Sequence, residues 1–436
     1  MEKINKKKLI LIELNEINFD IVKKYIDSSS LKYFPLLVNQ NTKTTLAEKE
    51  YSKLEPWIQW VSVHTGMDAD QHKIFRLGDS SNFNYEQIFE KIEKKNFSVG
   101  VLFAMNVINK NSKFKYFIPD PWTETKPSDN FWCRIINKAV RQTVNDNSSK
   151  KIELKSYVII LLICLRFVRI SKYFFFLRLF LNSFKKKWYK ALFLDYLTSE
   201  IHLNFIKNKK TNFSTVFYNG GAHIQHHYFQ NSKKIKSNMK NPKWYVDSNH
   251  DPIEDMLILY DEILKSYLDL IDDGYNLIFA TGLSQEPYDR IKFYYRLKNH
   301  DSFLKNIDIK YNYVQTLMTR DFFIYFDNNN DRDSAKVKLE KVLTKENDKI
   351  FNEIDIRDKS LFVTLTYPNE IKKDFYVVYN QKKINFFNEV NFVAIKNGMH
   401  STKGYSSYHG EIEKFQPHDK SHVKEIFNSI NNFFSY

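Results

Sequence analysis

Short apolar runs alternate along this chain with longer segments whose apolar positions recur at helical spacing. Residues 8–14 read as a buried strand, and Asn18 is placed to cap a helix running through Tyr25. Helical periodicity returns at Tyr85–Lys95, and a strand follows at Phe97–Phe103. Further on, Phe213–Tyr218 reads as a strand. Pro252–Asp273 reads as a helix with Ile253, Met256, Leu257, Tyr260, Ile263, Leu264 and Leu268 at helical spacing. Gly274 stops that helix, and Asn276–Ala280 is a buried strand. Strand–helix–strand order of this kind predicts an α/β fold with a mostly parallel sheet and right-handed crossovers.

Two regions interrupt the rhythm. Pro119–Ser149 carries Pro119, Pro121 and Pro127 and then an Asn-Asp-Asn-Ser-Ser run, and it opens an insertion. Tyr157–Leu181 is the most apolar stretch, but Arg166, Arg169, Lys172 and Arg178 break it. A membrane-spanning helix needs about 18 or more largely uncharged apolar residues. At helical spacing the first three cations share one stripe and Arg178 falls on another face. A buried pair of cap helices is the preferred reading; a basic amphipathic segment on an anionic membrane surface is the alternative. Between Arg320 and Tyr367 a β-α-β unit is expected, formed by Phe322–Phe326, Ala335–Leu343 and Leu361–Thr366. Asp327–Asp333 reads as a turn, because Arg332 and Lys338 stand where a calcium loop needs its glycine and terminal acid. Phe392–Ile395 is the expected final core strand. The resulting division is a core of residues 1–118, 213–300 and 390–436, a mainly helical cap of 119–212 and a small α+β lobe of 301–389.

Composition changes this picture only at the edges. The 436 residues, 43% of them hydrophobic and 16% aromatic, can form a sizeable core. A formal charge of +15 suits anionic partners, or simply a soluble Lys-rich surface. The basic residues are dispersed and no recognition motif accompanies them, so no nucleic acid is expected. Cys133 and Cys164 are too few for a disulfide framework or a cysteine metal site, which fits a reducing compartment. Lys3, Lys6, Lys7 and Lys8 precede Leu9–Ile12, but Glu13, Asn15 and Glu16 end that apolar run well short of a signal-peptide core. A cytoplasmic protein is expected, associated with the inner face of the membrane if 157–181 docks there.

Four stretches carry candidate chemistry: Leu11-Ile-Glu-Leu-Asn-Glu16, Glu55-Pro-Trp-Ile-Gln-Trp-Val-Ser-Val-His-Thr-Gly66, Asn219-Gly-Gly-Ala-His-Ile-Gln-His-His227 and Gly398-Met-His400. Each follows or ends an apolar run, and strand ends of an open α/β sheet converge on one crevice. From residue 9 to about residue 410, their order resembles the alkaline phosphatase superfamily, in its type I phosphodiesterase or nucleotide pyrophosphatase branch. The resemblance implies a three-layer α/β core with a helical cap and a small α+β lobe inserted before the last core strand. It also implies two zinc-like ions about 4 Å apart that clamp a phosphate.

Several ligands of that pattern are replaced here. Asn15 stands at the first metal-binding Asp; strand alternation puts Glu13 on its side and Glu16 on the other, with helix capping as the alternative role for one glutamate. The nucleophile would fall near Glu55 or Pro56, where there is no hydroxyl, and Ser62 and Thr65 stand at turn-shaping positions. Glu55 is either a general base, a carboxylate nucleophile or a surface acid. Asn219 replaces the Asp of an Asp-x-x-x-His pair and His223 is kept, with His226 and His227 following. Thr281 and Gly282 stand where an Asp-His pair is expected, and Gln285 and Glu286 lie close by. His400 matches the closing histidine, and Tyr405, Tyr408 and His409 form a polar aromatic group downstream.

The expected site therefore has Glu13, Asn15, Asn219, His223 and His400 around at most one divalent metal, zinc or manganese. Glu55 and His226 are the candidate catalytic residues, and Gln225, Gln285 and His409 the candidate substrate contacts. The implied function is hydrolysis or transfer on a phosphate or sulfate ester, the substrate being an anionic small molecule or a lipid- or glycan-linked phosphate ester. The alternative is a non-catalytic protein of the same fold that recognises an anionic ligand.

Overall fold

The computed structural model describes residues 7–27, 30–39, 42–82, 84–110, 112–149, 154–236, 239–317 and 320–436; the leading Lys3 and Lys6 lie outside them. The chain forms two compact units, Met1–Gln142 with Glu153–Pro287 and Gly398–Tyr436, and Thr143–Ile152 with Tyr288–Asn397.

The first unit is built on an eight-stranded sheet. In chain order its strands are β1 (Leu9–Leu14), β2 (Thr42–Leu46), β3 (Val99–Leu102), β4 (Tyr116–Ile118), β5 (Phe213–Tyr218), β6 (Asn276–Ala280), β7 (Lys403–His409) and β8 (Ser421–His422). They lie in the order β8-β2-β7-β6-β1-β5-β3-β4. Only β7 runs against the rest, antiparallel to both β2 and β6. All six residues of β1 are buried, as a central parallel strand covered on both faces requires.

Two adjacent residues of β5 reveal the three layers. Ser214 and Thr215 point to opposite faces because strand side chains alternate. Ser214 Oγ bonds His202 Nε2 at 2.6 Å, which belongs to α3 (Tyr189–Lys209). Thr215 Oγ1 bonds Glu13 Oε1 at 2.6 Å, and Glu13 meets His64 Nε2 at 3.0 Å on α2 (Pro56–Thr65). The helices α3, α4 (Gly220–Tyr228) and α5 (Pro252–Leu268) pack together on the Ser214 side. Helix α2 packs with Ile88–Lys94 and Glu425–Ser435 on the other. Helix α1 (Phe19–Ile26) starts at Asn18, whose side chain accepts from the backbone of Asp20 and Ile21 as expected. Asp251 and Pro252 open α5 in the same way.

Residues 119–142 and 153–212 fall in this first unit, with α3 packed directly on β5. The Tyr157–Leu181 run is not a buried helix pair. It folds as helices Leu154–Phe167 and Tyr173–Lys185, which bury Ile163, Phe167, Phe176 and Leu179 and turn other apolar residues outward. The chain breaks between them, so the expected single stripe of cations does not form. Arg169 instead forks onto the buried Glu200, and Lys172 lies 3.7 Å from Glu262. No helix among the described residues is long and apolar enough to cross a membrane.

The second unit holds an antiparallel sheet ordered Glu353–Arg357, Ser360–Thr364, Asp321–Tyr325, Tyr313–Thr316, with a helix at Asn329–Glu340. The expected strand, helix and strand are present, with one correction. Asp327–Asp333 is not a simple turn: Asn328 accepts from Asp331 N and starts the helix inside that polar run. A second correction concerns Phe392–Ile395, which lies in Val390–Ser401, paired with Ser284–Leu297 and not with the eight-stranded sheet. The core strand after the lobe is β7. A short apolar run shows that a strand forms, not which sheet it joins.

The polar chain through the Ser214 face is closed: Tyr218 OH meets Tyr267 OH at 2.7 Å, Tyr267 OH meets His202 Nδ1 at 2.8 Å, and Ser214 Oγ also meets Tyr116 OH at 2.5 Å. Ser214→Ala leaves two buried groups without that partner and is expected to cost about 1–3 kcal/mol, read from the urea midpoint. An unchanged midpoint would contradict the closed network.

Candidate active site at the strand ends

Because β7 alone is reversed, its leading end lies with the carboxyl ends of β1, β5 and β6, and all four motifs meet there. The backbone joins them: Asn15 N donates to Tyr218 O at 3.1 Å and Glu16 N to Thr281 O at 3.0 Å. Strand β1 ends at Leu14, and Glu16 has φ +62°, in the left-handed region that side-chain-bearing residues rarely occupy. Gln225 clamps this turn, its Nε2 donating to Glu16 O at 2.8 Å and its Oε1 accepting from Asn18 N at 3.2 Å.

The turn aims the Glu16 carboxylate at two imidazoles. Glu16 Oε2 lies 3.1 Å from His226 Nε2 and 3.2 Å from His400 Nε2. The two Nε2 atoms are 3.3 Å apart, which closes a triangle. Two of the corners are held from behind. Asn15 Nδ2 donates to Glu16 Oε1 at 3.0 Å, and Gln285 Nε2 donates to Glu16 Oε2 at 2.5 Å and to Ala222 O at 3.0 Å. His400 Nδ1 donates to Leu54 O at 2.8 Å, which leaves Nε2 facing the triangle, and Glu55 Oε2 is 3.4 Å from the same Nδ1. Gly398 permits the approach, since a Cβ there would stand 2.1 Å from Gln285 Oε1.

The electrostatics follow. Burial opposes charge on both partners, yet the two histidines hold the Glu16 carboxyl well below the usual carboxylate range. Burial likewise disfavours a charged His400, but the Glu16 carboxylate, its hydrogen bond and Glu55 outweigh this and raise the imidazole to about 9.

The donor set fits a divalent ion. A tetrahedral zinc with bonds of 2.0–2.1 Å separates its ligand atoms by about 3.3 Å, close to the edges of this triangle. One carboxylate oxygen and two imidazole nitrogens suit zinc or manganese. The hydrogen bonds behind Glu16 and His400 are of the kind that fix ligand orientation.

Several residues proposed from sequence stand elsewhere. Glu13 is buried against His64 and Thr215 on the α2 face of the sheet and does not reach the triangle. Asn15 and Asn219 are spent on each other and on Trp60. Asn15 Nδ2 donates to Asn219 Oδ1 at 2.8 Å, and Trp60 Nε1 donates to Asn15 Oδ1 at 2.8 Å. His223 is one turn before His226 on α4; it is solvent-exposed yet crowded by protein, and its ring lies 4.7 Å from that of His227. That crowding, with His226 nearby, pushes the His223 imidazole down to about 4. His409 pairs with Leu277, three residues back from Ala280 and so about 10 Å down the strand. It bonds Ser407 Oγ at 2.9 Å instead. Gln225 and Gln285 are buried brackets of Glu16, not exposed contacts. His226, His400 and Glu55 do come together.

The residue missed was Glu16. Alternation was carried one step beyond the strand's end, where the left-handed turn cancels it. Asp195 was also missed: buried in α3, it accepts from Gly220 N at 2.8 Å and Tyr260 OH at 2.5 Å and anchors the start of α4. Burial pushes its carboxyl up to about 7. An acid inside the apolar Ala191–Leu197 stretch was the available signal.

The positions that the family pattern assigns to the second ion hold no acid. Thr281 Oγ1 accepts from Tyr405 N at 2.9 Å, and the indole of Trp60 lies so close to Gly282 that a Cβ there would be 3.0 Å from its Cε2.

No family model and no curated protein matches the chain. Among solved structures it is similar to phosphonoacetate hydrolase from Sinorhizobium meliloti 1021 in complex with phosphonoformate, at 9% identity and TM-score 0.44, covering 98% of this chain and 95% of that one. It is similar to murine ectonucleotide pyrophosphatase/phosphodiesterase 5, at 10% identity and TM-score 0.41, with the same coverage. Alkaline phosphatase from the Antarctic bacterium TAB5 follows at 9% identity and TM-score 0.40, covering 99% and 98%. A likeness of fold says nothing by itself of chemistry.

In chelated protein the folded state holds the His400 proton more tightly than the unfolded chain, whose value is 6.5. The stabilisation is complete below pH 6.5 and is lost as pH rises through about 9. Melting temperature is expected to fall across that window in the wild type and to flatten in Glu16→Gln. Parallel slopes in the two proteins would contradict the pairing.

Proposed function

We propose that the chain is a phosphate-ester hydrolase or transferase whose active site holds one divalent ion on Glu16, His226 and His400. The Oε2–Nε2–Nε2 triangle, with its Glu16 and His400 corners fixed from behind, carries this reading. Zinc or manganese bound there would supply Lewis-acid polarisation of a phosphoryl oxygen. Glu16 and Glu55 would repel an ester anion, so anion binding depends on the positive charge gathered at the triangle. Gln285 and Asn15 keep the Glu16 carboxylate aimed inward, and Leu54 O fixes the tautomer of His400. Glu55, half-exposed at the head of α2, orients His400 and is the carboxylate within reach to take a proton from an attacking hydroxyl. The attacking group is water or an acceptor alcohol. Sulfate esters share the charge and shape that this site would recognise. The substrate is an anionic ester, free or carried on a lipid or glycan.

One observation favours the binding-only alternative. Ser62 Oγ and Thr65 Oγ1, the hydroxyls of the second motif, both turn back onto backbone carbonyls of α2. Neither is presented to the triangle as a nucleophile.

Elemental analysis after dialysis against zinc or manganese, with turnover of chromogenic phosphate mono- and diesters, tests both readings. One ion per chain is expected, with turnover falling at least about 100-fold in Glu16→Gln, His226→Ala and His400→Ala. Metal affinity should rise with pH toward about 9, because the ion displaces the His400 proton. One ion without turnover would favour the binding protein, and two ions per chain would contradict the single-ion site.

A further inference from the structure

We infer that the two helices Leu154–Phe167 and Tyr173–Lys185 form a docking surface for an anionic lipid bilayer, lying on the membrane without crossing it. This goes beyond the reading of the active site and does not depend on it.

The first helix turns Val158, Leu161, Leu162 and Leu165 outward, each between 50% and 58% exposed. Their spacing places them on one side of the helix. The second turns out Phe174, Leu177, Leu181 and Phe184, between 53% and 81% exposed, again at helical spacing. Ile170, in the link, is 83% exposed. Tyr173 OH donates to Leu165 O at 3.3 Å and ties the start of one helix to the end of the other. The core side of both helices is already filled by Ile163, Phe167, Phe176 and Leu179. The outward residues are therefore surplus to the core. Isolated exposed apolar residues are ordinary, whereas a joined set of this size marks an interaction surface.

Charge selects the occupant. Residues 154–194 contain nine Lys or Arg and no Asp or Glu. Arg169 and Lys186 are paired with Glu200 and Asp255, while Arg166, Arg178, Lys185, Lys187 and Lys190 are exposed around the apolar residues. An apolar face rimmed by cations matches the boundary between acyl chains and anionic headgroups. A second copy of the chain fits worse, because two cation-rimmed faces on chains of formal charge +15 repel each other.

The test is flotation of the full chain with phosphatidylcholine vesicles, with and without phosphatidylglycerol. Binding is expected when phosphatidylglycerol is present and should weaken as salt is raised. The double variant Ile170→Asp/Phe174→Asp changes only exposed positions; it should keep the wild-type melting temperature and metal content and lose at least about tenfold in partitioning. Lys185→Glu/Lys187→Glu should weaken binding to the anionic vesicles selectively. The inference is overturned if neither vesicle type binds the wild type, or if the Ile170→Asp/Phe174→Asp variant floats equally well. It is overturned too if sedimentation shows a dimer that this variant dissolves while vesicles stay unbound. Metal content and ester turnover are separate readouts, so the failure of one proposal is distinguishable from that of the other.

Discussion

A single carboxylate organises this end of the molecule. Glu16 is almost fully buried, and a charge so placed is tolerable only with close partners. His226 and His400 supply the opposite charge, while Asn15 and Gln285 supply hydrogen bonds. These partners come from β1, α4, the strand after β6 and the segment leading into β7. Satisfying one buried acid thus ties together four distant parts of the chain. The left-handed backbone at Glu16 is the local strain that the arrangement sustains, and Gln225 bonds on both sides of it.

The same reasoning separates the two buried acids in and just after β1. Glu13 and Glu16 are three residues apart and both out of solvent, but their surroundings differ. Glu13 shares its Oε1 between His64 and Thr215 inside the sheet–helix layer. Glu16 sits at the rim, where both of its histidines retain some solvent contact. Only a rim position can exchange an ion or a substrate with water, so the distinction between structure and chemistry here is one of depth.

Much of the fold was legible from periodicity. The β1 run, the Asn18 and Asp251 caps and the apolar stripe of α5 all specify their elements locally. The convergence of the four motifs followed from their places at strand ends. What was not legible depended on one backbone angle or on tertiary choice. The side on which Glu16 emerges is set by its positive φ, which no alternation rule carries past a strand terminus. The choice of His226 over His223 is set by how α4 is rotated, and Asp195 and Tyr260 at its first turn fix that rotation. For Tyr157–Leu181 the sequence left a buried helix pair and a surface segment as alternatives, because hydrophobicity alone does not distinguish a core helix from one that turns apolar residues outward.

Trp60 locks two positions of the site together. Its indole sits against Gly282 and donates to Asn15, so each of these three residues suits the other two. An aspartate at position 15 would lose the donor to Glu16 and Asn219 and set a second anion beside that carboxylate. Adding a side chain at 282 first would drive it into the indole. Changed one at a time, these positions would each meet a less stable arrangement, so the three can be exchanged only together.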